Sequence, residues 1–149
     1  MKRFLPLTFL LAFLYNHAAA QDNTSFTKDG VTLPVINTGN NTLIELIRAD
    51  STFGFNIAVA SFPAGKKLDW HHHPGGQILV ITEGTGYYQE KGKPRQTVHK
   101  GEIIKCLPGI EHWHGASQDS AVTYMATSPA QKGPTVWLQK VTDEEYNGK

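Results

Sequence analysis

Between Gly65 and Gly84 the sequence sets out His71, His73 and Gln77, and a second block downstream holds His112 and His114. His71 and His73 stand two apart, and residues two apart in a strand point to the same face of a sheet. The turn-forming run Pro74-Gly75-Gly76 follows, and Gln77 offers a carbonyl oxygen directly after it. The second block runs from Gly101 through Pro108-Gly109 to His112 and His114, again two apart, with Trp113 on the opposite parity. Imidazoles and an amide gathered on a β scaffold are donors suited to a divalent metal ion. The remaining histidines read differently. His72 has the opposite parity to its neighbours and is expected at the surface, and His99 precedes the Lys100-Gly101 turn and is expected to be solvated. Glu83, Glu102 and Glu111 sit in turns or on the wrong parity and are read as structural, so the site lacks a clear carboxylate ligand.

Strands must carry these side chains, and the sequence supplies short apolar runs separated by turns. Thr42–Ala49 alternates imperfectly, and Phe53, Phe55, Ile57, Val59 and Ser61 share one parity of a longer strand ended by Pro63-Ala64-Gly65. Ile78–Thr82 is a further apolar run, and Glu83-Gly84-Thr85-Gly86 predicts a turn into Tyr87–Glu90. Lys91-Gly92-Lys93-Pro94 turns the chain again, and Thr97–His99, Ile103–Leu107, Ala121–Ala126 and Thr135–Val141 complete the set. Turn signals roughly every eight to twelve residues, without a convincing amphipathic helix, predict an all-β sandwich or barrel. Ile57, Val59, Ile78, Val80, Leu107 and Met125 are candidates for an apolar pocket wall, some of which must pack the outer face instead. Such a wall suits a small, partly apolar substrate.

The first twenty of the 149 residues read as a secretory signal peptide. Lys2 and Arg3 form its basic start, Phe4–Tyr15 its apolar centre and Ala18-Ala19-Ala20 its cleavage site, which predicts export to a bacterial periplasm. Beyond it the expectation is a flexible arm over 21–36, one domain over 37–142 and a charged tail over 143–149. Losing Lys2 and Arg3 takes the formal charge from +1 to −1, and the chain has no basic run. That composition excludes a nucleic-acid partner and, after cleavage, a membrane partner. The single cysteine, Cys106, forms no internal disulfide and reads as a small buried hydrophobe.

The stretch Gly65–Gly84 resembles the first cupin motif: Gly, five residues, His-X-His, three or four residues, Glu, six residues, Gly. Gln77 stands where that family usually has glutamate. Gly101–Ala116 resembles the second cupin motif, whose histidine matches His112, with Leu107 in place of its first proline and Ala116 in place of its final asparagine. The strings HHHPGGQILVITEG and PGIEHWHGAS are most similar to small single-domain cupins of the manganese-dependent hydroxynitrile-lyase type, over Ile57–Val141. The resemblance implies an all-β fold, a double-stranded β-helix (jelly-roll) barrel, and a homodimer. It implies one divalent metal held by His71, His73, Gln77 and His112, with manganese preferred and iron, copper, nickel or zinc as alternatives.

An amide ligand cancels none of the metal's charge, which favours Lewis-acid chemistry on a substrate oxygen. Carbon–carbon bond cleavage or formation on a small hydroxy or carbonyl compound is the activity that the resemblance implies. His114 lies on the inner face beside the metal, either as the base that moves a substrate proton or as a hydrogen-bonding support. Tyr124 stands where the lyase-like relatives carry a histidine in a Thr-His-Ile context. With a reference pKa of about 10 it is a poor base, and it either orients or protonates substrate or forms pocket wall. Two other classes stay open at this point: an oxygen-activating dioxygenase on the same ligands, and a non-catalytic binding module.

Overall fold

One long strand, β7 (Gln77–Glu90), organises the molecule. Residues 25–149 are described by the computed structural model, so the signal peptide read over 1–20 lies outside the described residues. The predicted turn at Glu83–Gly86 is absent: the chain runs straight through it and bends instead. Gly84 has φ +76° and packs so tightly that an added Cβ would lie 1.9 Å from the Ala121 carbonyl oxygen. Opposite it, the register with β11 (Val122–Pro129) shifts between Thr123 and Tyr124. A glycine with a bulged partner lets one strand leave one sheet and enter the other, which looks like a turn in sequence. Gly84→Ala is expected to lower stability by about 3 kcal/mol, from left-handed backbone strain and overpacking together. Urea unfolding checks this, and a loss under about 1 kcal/mol would show that the bend tolerates a side chain.

The first half of β7 pairs with β9 (Ile103–Cys106) and β11, and the second half pairs with β8 (Gln96–His99) and β10 (His112–Ala116). Beyond β11 follow β5 (Phe55–Phe62), β4 (Thr42–Ile47) and β3 (Ile36–Asn37); beyond β10 follow β6 (His71–His72) and β12 (Val136–Trp137). All these pairings are antiparallel, and the curled sheet is a double-stranded β-helix, the jelly roll expected from the motifs. A small hairpin, β1 (Thr27–Lys28) with β2 (Val31–Thr32), precedes it within the stretch read as an arm.

The main core fills the inside of the curl with Ala60, Phe62, Leu79, Ile81, Tyr88, Val98, Cys106, Ala116, Val122 and Tyr124. Cys106 is a buried free thiol there, as its sequence context suggests. A second cluster of Trp70, Trp113, Val141 and Tyr146 lies under the C-terminal turn α1 (Asp143–Tyr146). Thr142 caps that turn in a capping box with Glu145, and Trp70 Nε1 donates to Glu145 at 3.0 Å. The Tyr146 hydroxyl donates to the Ala116 carbonyl at 2.9 Å. The charged C-terminal residues therefore brace the back of β10, the strand that carries His112 and His114.

Candidate metal centre

Strand alternation does the positioning. On β10, His112 and His114 face the inside of the curl, and Trp113, fully buried on the other side, donates its Nε1 proton to Gln89 at 2.8 Å. His112 is in register with His71 of β6, which brings the two histidine blocks of the sequence face to face. One ligand atom from each of His71, His73 and His112 lies within 4.8 Å of the others, and all three residues are buried. The ring centroids of His71 and His112 are 4.5 Å apart, and those of His71 and His73 are 5.3 Å apart.

Backbone carbonyls fix the orientation of two of these rings. His71 Nδ1–H donates to the Asp69 carbonyl and His112 Nδ1–H to the Ile110 carbonyl, each at 2.8 Å. Each bond leaves the Nε2 lone pair turned to the cluster. His73 Nδ1 bonds the Thr135 hydroxyl at 3.1 Å. Nε2 of His73, Nε2 of His112 and Oε1 of Gln77 are buried with no hydrogen-bond partner, as atoms reserved for a cation would be. Buried imidazoles without partners resist protonation. Burial, reinforced by the nearby His112, pushes His71 down to about 3, and the same two causes push His73 down to about 4. Burial lowers His112 and His114 as well. Neutral imidazoles are the form that binds a metal.

His71, His73 and Gln77 open into a cavity of about 370 Å³. Gln77, His114 and Tyr124 line it with His71 and His73, so the geometry gathers the motif residues around one space. The apolar wall differs from expectation. Leu43, Ala60, Phe62, Leu68, Ala126 and Trp137 line the cavity, and none of Ile57, Val59, Ile78, Val80, Leu107 and Met125 does. The six take the outer parity of their strands or, like Leu107, lie exposed, because the outer face of this sheet is apolar too. Sequence reasoning missed Thr135, which bonds His73, and Trp137, whose ring lies 4.9 Å from that of His71 while 56% exposed at the mouth. A small donor just before the last strand and an aromatic two residues on were the available signal.

Glu83 and Glu102 stay at the surface, away from the donors. Glu83 pairs with Lys100 at the surface, and Glu102 accepts from the His99 backbone amide. His99 itself is exposed, and its Nδ1 meets the Thr85 hydroxyl. Tyr124 is buried, stacked on Phe62 with centroids 5.4 Å apart, and its hydroxyl lies 2.5 Å from His114 Nδ1. Burial holds that phenol well above its ordinary pKa, so it keeps its proton.

Residues 58–128 match the family described as Cupin domain. Over 90 residues the chain is 39% identical to an (R)-mandelonitrile lyase from Granulicella tundricola, covering 60% of this chain and 69% of that protein. The chain is a cupin. The crystal structure of a cupin-like protein from Thermotoga maritima is 38% identical, with a TM-score of 0.69 over 72% of this cupin and 82% of that chain. The DMSP lyase DddQ from Ruegeria pomeroyi aligns with a TM-score of 0.60 over 72% of this cupin and 58% of that chain. At 17% identity that likeness speaks to the fold alone. The cupin thus combines a jelly roll with a histidine triad fit for a divalent metal, and it is related to hydroxynitrile-lyase-type cupins.

Proposed function

We propose that this cupin is a secreted, manganese-dependent lyase that breaks or forms a carbon–carbon bond in a small hydroxy or carbonyl compound. The observation that carries the reading is the donor set. Three buried neutral imidazoles converge with a buried amide oxygen, and the triad contains no carboxylate. His71, His73, Gln77 and His112 would hold the ion. Because all four donors are neutral, the bound ion would keep its full formal charge and act as a Lewis acid toward oxygen.

The rest of the chemistry falls to the chain. Phe62, Leu43, Leu68 and Ala126 exclude water and seat the apolar part of a substrate, and Trp137 flanks the entrance. His114, bonded at Nδ1 to the Tyr124 hydroxyl, is the polar group that meets the reacting oxygen. The 39% identity to an (R)-mandelonitrile lyase supports cyanohydrins as the first compounds to try. The Met1–Ala20 segment supports export, and exposed Ile78, Ile103 and Leu107 support a homodimer.

Metal analysis of protein purified from the periplasm without a chelating tag, followed by a mandelonitrile cleavage assay, tests the reading. Near-stoichiometric manganese with turnover that chelation removes is the expected result. Stoichiometric iron or copper with substrate-dependent oxygen uptake would overturn it in favour of a dioxygenase. A site that stays empty when manganese is added would leave a binding module.

A further inference from the structure

His112 and His114 share the inner face of β10, yet their Nδ1 atoms meet opposite kinds of partner. His71 and His112 each face a backbone carbonyl at 2.8 Å, and a carbonyl oxygen has no proton to give. Both rings therefore carry their proton at Nδ1. His114 Nδ1 instead faces the Tyr124 hydroxyl at 2.5 Å, and both side chains are buried. Among the described residues that nitrogen is the phenol's one hydrogen-bond partner. A buried O–H that donates to nothing is costly, so Tyr124 donates and His114 Nδ1 accepts. A neutral imidazole that accepts at Nδ1 carries its proton at Nε2. That Nε2 is buried without a partner on a residue lining the metal cavity.

We propose that Tyr124 locks His114 in the Nε2–H tautomer, so that His114 enters the cavity as a hydrogen-bond donor and neither ligates the metal nor serves as the resting-state base. The ring centroid of His114 lies 5.1 Å from that of His71 and 5.8 Å from that of His112, so the donor overlooks the space bordered by the ligands. Phe62 keeps the lock in place by stacking on Tyr124 and meeting His114 edge-on at 6.4 Å. An N–H at this position suits any substrate oxygen with a free lone pair, carbonyl, hydroxyl or alkoxide. The resting site therefore offers the reacting oxygen a donor rather than an acceptor, an inference that rests on the lyase reading and deepens it. Tyr124 is a positioning residue in this scheme, acting through His114.

Heteronuclear NMR of isotope-labelled, metal-free protein reads the tautomer of each ring directly. The expected spectrum has an unprotonated Nδ1 and a protonated Nε2 at His114, and the reverse at His71 and His112. In Tyr124→Phe the single-tautomer pattern of His114 is expected to be lost, while His71 and His112 keep theirs and report in the same spectrum that the site is intact. Diamagnetic zinc is expected to shift Nε2 of His71, His73 and His112 and to leave His114 in place. A wild-type His114 with its proton on Nδ1, an unchanged His114 pattern in Tyr124→Phe, or a zinc-bound His114 Nε2 would each overturn the proposal. The wild-type and zinc spectra decide the question even where the variant fails to fold. No substrate enters these spectra, so loss of the lyase reading would leave the tautomer standing. A reversed tautomer would remove the donor and leave the metal reading untouched.

Discussion

Replacing His112 with alanine is expected to empty the metal site while leaving the jelly roll folded. His112 is fully buried, and its ring is aimed by the Ile110 carbonyl, so alanine removes a donor held at a fixed position. Losing an outer-shell partner of a metal ligand already costs roughly 10–100-fold in affinity, so losing the ligand itself should exceed about 100-fold. Manganese content after dialysis, and activity wherever the wild type shows turnover, should fall together. The fold should survive because the cores on both sides of β10 are built from other residues, with Trp113 and Ala116 packing independently of the ligand. Circular dichroism of the metal-free variant checks that point. His99→Ala, at an exposed turn remote from the triad, is the matched control and should retain metal. If His112→Ala held stoichiometric manganese with wild-type affinity, the triad would not be the binding site.

The gathering of the candidate donors was readable in the sequence because two rules agreed there. Alternation put His71 with His73 and His112 with His114, and the glycine and proline punctuation placed Gln77 just after a turn. The structure adds the step that spacing cannot supply, namely the His112–His71 register that closes two distant blocks into one site. The pocket wall was not readable. Alternation separates two faces only when one of them is polar, and on β5 Ala58, Ala60 and Phe62 alternate with Ile57 and Val59. The bulkier parity faces outward. Gly84 misled for a related reason: a glycine where a strand kinks between sheets and a glycine where it reverses look alike in sequence. The His114–Tyr124 bond was out of reach as well, since it joins β10 to β11 across the inside of the curl.

Metal-free protein is expected to lose stability steeply between about pH 6.5 and pH 4, and metal should raise the whole curve without changing that slope. In the unfolded chain a histidine takes its proton near pH 6.5. In the folded protein, burial delays protonation of His73 to about 4 and of His71 to about 3. Between those values the unfolded state binds more protons, so acid favours unfolding. The stabilising contribution is complete above about pH 6.5 and is lost as pH falls toward the folded values. Each such imidazole contributes a slope of about 1.4 kcal/mol per pH unit while its two states differ by a full proton. Two together approach 3 kcal/mol per unit near pH 5, a large share of the roughly 5–15 kcal/mol that holds a domain folded. An ion that binds only the neutral rings stabilises the folded state by mass action, and because the folded rings stay neutral until about pH 4 that gain is nearly constant above it. Urea midpoints measured from pH 4 to pH 8, with and without saturating manganese, should therefore fall in parallel above about pH 5 and begin to converge toward pH 4. His73→Ala should flatten the metal-free curve, because it removes one of the buried titrating groups. A metal-free curve with no slope below pH 6.5 would mean that the imidazoles charge as easily folded as unfolded. The cluster would then be wet and loosely held, and the dry neutral donor set on which the Lewis-acid reading depends would be lost with it.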